Sequence, residues 1–204
     1  MSDEASPHET SLAVWDIPSP LPLGGAARIK VGVRCAVGCP LVGQQIEILD
    51  STQNRIAFTK TGPSPLPGTI GLYWAEAQIV APLTEGPHRW TARFSPSSLE
   101  TPHTASFLTF SLITVRPPEH RVTVEVTQEN TNVPIGTAEV RLGVFRTLTN
   151  DNGVAILEVP KDRYELNVWK MGFEFVTRNL EVNADQRLKI ELPVEAEPSP
   201  FGEA

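Results

Sequence analysis

The sequence predicts an all-β protein built as two tandem β-sandwiches, and three observations carry that prediction. Apolar and polar residues alternate at period two, as in Val122, Val124 and Val126 against Thr123 and Glu125, which marks a strand with one buried face. Nineteen prolines and fourteen glycines punctuate the 204 residues, and no window sustains helical periodicity. The run Arg116-Pro117-Pro118-Glu119-His120 divides the chain, because adjacent prolines stop a strand and stiffen the connection.

Before that break, residues 12–15 offer an edge strand. Residues 28–33 set Ile29, Val31 and Val33 against Arg28, Lys30 and Gly32, and residues 45–49 place Ile46 and Ile48 on one face. Further strands are predicted over 55–59, 72–80, 89–94 and 106–115. The turns between them carry the expected breakers: Gly24-Gly25, Gly38-Cys39-Pro40, Gly62-Pro63, Pro65-Leu66-Pro67-Gly68 and Gly86-Pro87. After the break, the strand that holds Val122, Val124 and Val126 is followed by others over 138–142, 144–148, 154–159, 164–169, 175–182 and 187–192. The segment Thr149-Asn150-Asp151-Asn152-Gly153-Val154 reads as a hairpin, since Asn-Gly accepts the positive φ of a tight turn. Pro134 precedes a strand, where its missing donor costs no ladder bond.

The resulting organisation is an acidic N-terminal tail or edge strand over 1–16, a first sandwich over 17–117, a second over 118–193 and an acidic C-terminal tail over 194–204. Of the net charge of −7, the two ends hold a disproportionate share: residues 1–16 carry four acids and no base, and residues 194–204 three acids and no base. Neither body has a basic run interleaved with aromatics, which argues against nucleic acid as a partner. The start Met1-Ser2-Asp3-Glu4-Ala5-Ser6-Pro7 is acidic and polar, unlike a secretory leader. No apolar run approaches the ~20 residues that span a bilayer. A cytoplasmic location is therefore expected. Two cysteines are too few for a disulfide-stapled scaffold, so each sandwich must rest on an apolar core.

Three motifs in the second half go beyond architecture: Val133-Pro134-Ile135-Gly136-Thr137-Ala138-Glu139-Val140-Arg141-Leu142, then Asn150-Asp151-Asn152-Gly153-Val154-Ala155, then Val159-Pro160-Lys161-Asp162-Arg163-Tyr164, with Met171-Gly172-Phe173 as a final turn. Through them residues 121–192 resemble the carboxypeptidase regulatory-like family, a transthyretin-like (prealbumin-like) sandwich. Thr137 stands where that family often has Gly or Ala, and Asp162 where Gly is common. The resemblance implies an accessory module of the kind attached to enzymes, transporters and surface proteins. Residues 17–117 resemble a generic bacterial immunoglobulin-like domain, without the Cys…Trp…Cys spacing of antibody domains. Enzymes that share the transthyretin-like fold carry a C-terminal Tyr-Arg-Gly-Ser signature or a His-x-His pair with two iron-binding tyrosines. This chain ends Pro200-Phe201-Gly202-Glu203-Ala204 and has no His-x-His. Gly-x-Ser-x-Gly, His-Glu-x-x-His and phosphate-binding glycine loops are also missing, so no enzymatic activity is expected.

Cys35 and Cys39 flank Ala36-Val37-Gly38. A structural zinc site takes four ligands, commonly two cysteine pairs; there is no second pair, and His88, His103 and His120 are scattered in sequence. The two cysteines therefore read as ordinary thiols near a turn, with a local disulfide and a metal or redox site as alternatives. No metal and no cofactor is expected. Asn150-Asp151-Asn152-Gly153 lacks the spread of ligands of a calcium loop, and Glu174, Glu181 and Asp185 read as solvated surface.

The binding candidates are Tyr73 and Trp74, adjacent and so on opposite faces of one strand, and Leu66 and Ile70, apolar residues on a proline-braced loop. Exposed aromatics anchor protein partners or stack on sugars. The sequence thus points to a non-catalytic accessory or scaffold protein that binds a protein partner of a larger assembly, with carbohydrate binding through exposed aromatics as the alternative.

Overall fold

The computed structural model of the chain describes residues 6–96 and 99–195. Every regular element among them is a strand, and the chain divides into two compact units, Met1–Arg116 and Pro117–Ala204. The C-terminal tail expected over 194–204 lies, from 196 onward, outside the described residues, as do residues 1–5 of the N-terminal one.

The first unit runs β1 (Thr10–Trp15), β2 (Leu21–Pro22), β3 (Ala26–Cys35), β4 (Gln45–Leu49), β5 (Arg55–Lys60), β6 (Tyr73–Val80), β7 (Gly86–Phe94) and β8 (Ser106–Val115). They form a three-stranded sheet, β1-β3-β6, and a five-stranded sheet, β2-β8-β7-β4-β5. Strand periodicity decides what is buried. Odd-numbered residues of β3, Ile29, Val31, Val33 and Cys35, point into one cluster with Ile46 and Ile48 of β4, Trp90, Ala92 and Phe94 of β7, and Phe110 and Leu112 of β8. Strand β3 extends two residues beyond the expected 28–33, and this extension carries the Cys35 side chain, 1% exposed, to the inner end of the row. Strand β1 also starts earlier than expected, because Thr10 pairs with Cys35 and Ser11 with Arg34.

The second unit runs β9 (His120–Gln128), β10 (Glu139–Leu142), β11 (Phe145–Leu148), β12 (Val154–Val159), β13 (Asp162–Trp169), β14 (Val176–Val182) and β15 (Gln186–Leu192). Four strands, β11-β10-β13-β14, face three, β12-β9-β15, in which β9 and β15 run parallel. Val122, Val124 and Val126 of β9 meet Val140, Leu142, Leu166 and Val168 across a core of fully buried side chains.

The segment 149–154 is not a hairpin. Strand β11 pairs with β10 in one sheet and β12 with β9 in the other, so the turn carries the chain between layers. The local chemistry is still that of a tight turn: the Asn150 carboxamide oxygen accepts from the amides of Asn152 and Val154, both at 3.0 Å, and Gly153 has φ +73°. An Asn-Gly pair specifies the reversal, but burial of Ala155, Leu157 and Val159 against β9 decides which sheet receives the next strand. The two-residue hairpin lies one connection earlier, at Gly143-Val144, where Leu142 pairs with Phe145.

Candidate functional site

The chemistry-bearing residues of the first unit gather where β1 and β3 pair at the end of their sheet. After Cys35 the chain reverses. The Gly38 amide donates to the Cys35 carbonyl at 3.1 Å, and Gly38 holds φ +83° with no atom crowding it, which returns Cys39 towards Cys35. The pairing of Thr10 with Cys35 continues outward as Ala36 N–H to the Glu9 carbonyl at 2.9 Å. One residue further out, His8 forms a parallel bridge with His103, its amide donating to the Pro102 carbonyl and its carbonyl accepting from Thr104, each at 2.9 Å. Thr10 adds a bond from its hydroxyl to the Thr104 carbonyl at 2.8 Å. The lead into β1, the end of β3 and the segment before β8 are thereby held together by backbone.

Their side chains converge. His8, Cys35, Cys39 and His103 each place one ligand-capable atom so that all four lie within 4.8 Å of one another. His8 Nδ1 is 3.1 Å from Cys39 Sγ, and the two imidazoles meet edge to face with centroids 5.2 Å apart. His103 Nδ1 lies 2.7 Å from the Thr101 carbonyl. A carbonyl only accepts, so Nδ1 carries the proton and Nε2 presents a lone pair. That Nε2 is buried and has no hydrogen-bond partner.

Burial alone pushes the Cys35 thiol up, but hydrogen bonds from the Cys39 and Val37 amides, and then from the Cys39 side chain, outweigh it and bring the thiol down to about 7. Cys39 moves the other way: its burial, and then its neighbour Cys35, raise it. Neither cysteine forms a disulfide.

The sequence names only the two cysteines of this group. His8 belongs to the acidic leading segment and His103 is one of the scattered histidines, so no spacing rule joins them. The usable signal is indirect: His8 sits just ahead of an edge strand and His103 just ahead of the strand 106–115.

The other candidates fall elsewhere. Tyr73 packs against the first core, while Trp74, on the opposite face, lies half-buried with its ring 6.0 Å from that of Trp15 and 5.7 Å from Lys30 Nζ. Leu66 is half-buried at the base of a closed loop, its amide bonded to the Leu72 carbonyl at 2.8 Å, whereas Ile70 is 83% exposed. Trp90 is a core residue set edge to face against Phe110.

The most exposed tryptophan among the described residues is in the second unit. Across β11, β10 and β13, Leu148, Glu139 and Trp169 align in one row. Trp169 and Phe175 line a cleft of about 220 Å³ with Glu139, Arg141 and Asn167. Leu148 lines an adjoining one of about 330 Å³ with Glu139, Arg146 and Thr147.

No protein-family model matches the chain, and no curated protein matches it. Solved structures similar to it include the Bacillus anthracis TIE protein, 12% identical over 94% of this chain and 42% of that one, with a TM-score of 0.29. BcpA, the major pilin subunit of Bacillus cereus, is 9% identical over 91% of this chain and 71% of that one, with a TM-score of 0.33. Invasin, a bacterial integrin-binding protein, is 17% identical over 86% of this chain and 39% of that one, with a TM-score of 0.31. The chain spans less than half the length of the TIE protein and of invasin. At TM-scores no higher than 0.33, none of these likenesses bears on what this chain does.

Proposed function

We propose that the chain is a non-catalytic scaffold protein that takes a protein partner on the outer face of the second unit's four-stranded sheet. The observation that carries this reading is the exposure of Trp169, Phe175 and Leu148, at 49%, 59% and 57%, on clefts that share Glu139. Aromatic and aliphatic groups left in water beside Arg141, Arg146 and Asn167 reproduce the apolar centre and polar rim of a recognition surface. The four-plus-three arrangement of strands supports reading this unit as a carboxypeptidase regulatory-like accessory module. A second reading has a specific basis on the same face: Trp169 beside the Asn167 amide, the Glu139 carboxylate and the Arg141 guanidinium suits a sugar ring, which stacks on aromatics and hydrogen-bonds in its plane.

Affinity purification of the tagged chain from its native cells, with mass spectrometry and reconstitution of any companion from purified protein, tests the reading. A stoichiometric companion whose affinity falls at least ~30-fold for Trp169→Ala/Phe175→Ala supports it. A companion held equally by the double variant removes this face from the interface. No companion, together with glycan binding that needs Trp169, transfers the assignment to carbohydrate.

A further inference from the structure

We propose that His8, Cys35, Cys39 and His103 form a structural zinc site that fastens the two sheets of the first unit to each other. Two thiolates and two imidazoles are a donor set that favours tetrahedral Zn²⁺. With four protein ligands the shell is closed, leaving no position for a substrate, which separates a structural site from a catalytic one.

The geometry is close to that shell. Zinc–sulfur bonds of ~2.3 Å and zinc–nitrogen bonds of ~2.0–2.1 Å set neighbouring ligand atoms ~3.3–3.8 Å apart. The four atoms here lie within 4.8 Å of one another, with His8 Nδ1 and Cys39 Sγ at 3.1 Å. Side-chain adjustments of ~1 Å close the set around an ion.

His103 supplies an independent indication. Its Nδ1–H donates to the Thr101 carbonyl, the outer partner typical of a ligating histidine. The opposite nitrogen, Nε2, is buried without a partner. Folding penalises such an orphan, and a metal ion in the cluster would satisfy it. A Cys35–Cys39 disulfide would leave it orphaned.

The ligands come from both layers. Cys35 ends β3 of the three-stranded sheet, His103 precedes β8 of the five-stranded one, and His8 leads into β1 while bridging to His103. Binding balances simply: each neutral thiol releases one proton as its sulfur joins the ion, and two thiolates cancel the dication's charge.

The test uses the full chain, purified without a metal-affinity tag. Elemental analysis is expected to return one zinc per chain. Replacement by Co²⁺ is expected to give tetrahedral d–d bands with thiolate-to-cobalt charge transfer. Chelation is expected to lower the first unit's Tm by at least ~4 °C. His103→Ala and His8→Ala should each weaken zinc binding by at least ~100-fold, whereas His120→Ala, in the other unit, should leave it unchanged. Because Cys35 is buried and Cys35→Ser risks misfolding, the half-buried His8 provides the variant that keeps the result readable. A zinc-free protein that takes up no Co²⁺, a Cys35–Cys39 disulfide in freshly purified material, or undiminished binding by both histidine variants would each overturn the proposal.

Discussion

His8 and Cys39 are 31 residues apart in sequence, yet His8 Nδ1 lies 3.1 Å from the Cys39 sulfur. Two backbone devices make the contact: the ladder that pairs Thr10 with Cys35 and the reversal at Gly38. A slip of one residue in that ladder would turn every side chain of β1 to the opposite face. Register in an edge strand thus decides whether the cluster exists.

A second polar cluster sets an acid limit on the first unit. Glu47, with a side chain 15% exposed, accepts from Arg93 Nη2 at 2.6 Å and Nε at 3.0 Å, and from Arg55 Nη1 at 3.1 Å. The hydrogen bond from Arg93, more than that from Arg55, holds its carboxyl below the usual range. A depressed carboxyl contributes its full stability above the ordinary glutamate pKa of about 4.3 and loses it as pH falls through the lower folded value. Both arginines are partly solvated, so Glu47→Gln is expected to cost about 1 kcal/mol at pH 7. Urea titrations should show the difference between variant and wild type shrinking towards pH 3; a constant difference would separate the effect from ionisation.

Buried threonines act as backbone substitutes in both units. Thr149 Oγ1 donates to the Ile135 carbonyl at 2.7 Å and accepts from the Ala138 amide at 2.8 Å, in a site 3% exposed. Thr61 does the same between the Leu41 carbonyl and the Gln44 amide. Thr149→Val preserves shape but orphans a buried donor and acceptor, and should cost about 2 kcal/mol in denaturant unfolding. Thr149→Ser keeps the hydroxyl and should cost clearly less. Equal losses would mean that the methyl, not the hydrogen bonds, matters at this position.

Two left-handed residues should respond in opposite directions. At Gly153, φ +73°, a Cβ would lie 2.5 Å from the Val126 carbonyl oxygen, so Gly153→Ala should destabilise by about 2–4 kcal/mol. Thr137 holds φ +54° with a branched side chain, and Thr137→Gly should stabilise by about 0.5–1 kcal/mol as relief of strain outweighs the entropy of glycine. Thermal melts of the two variants check the pair. A destabilised Thr137→Gly would show that the Thr137 side chain, which receives a hydrogen bond from Lys170, contributes more than its backbone costs.

Strands were legible where one face is buried. Gln45–Leu49, Ser106–Val115 and Val154–Val159 coincide with the expected ranges, and in each a row of alternate residues is buried: Ile46 and Ile48, Phe110 and Leu112, and Ala155, Leu157 and Val159. The turn at Asn150–Gly153 was legible as a turn but not as a crossing between layers, since turn chemistry is local while sheet membership depends on what β12 buries. The four-residue cluster was half legible. Cys35 and Cys39 share one turn, but His8 and His103 reach them only through the ladder and a bridge between distant segments. The degree of exposure of an aromatic was not legible for a similar reason: parity separates the faces of Tyr73 and Trp74, but Trp15 and Lys30 arrive from other strands beside the Trp74 ring.

The parallel pairing of β9 with β15 has a consequence for synthesis. The first strand of the second unit is the central strand of its sheet, and one flank is completed only by the last, with Val122 opposite Gln186 and Gln128 opposite Leu192. During translation, β9 leaves the ribosome long before that partner exists, so one of its edges stays open to wrong pairings. A chain stopped short of Gln186 keeps that edge permanently, which makes the final strand the gatekeeper between a soluble product and an aggregating one.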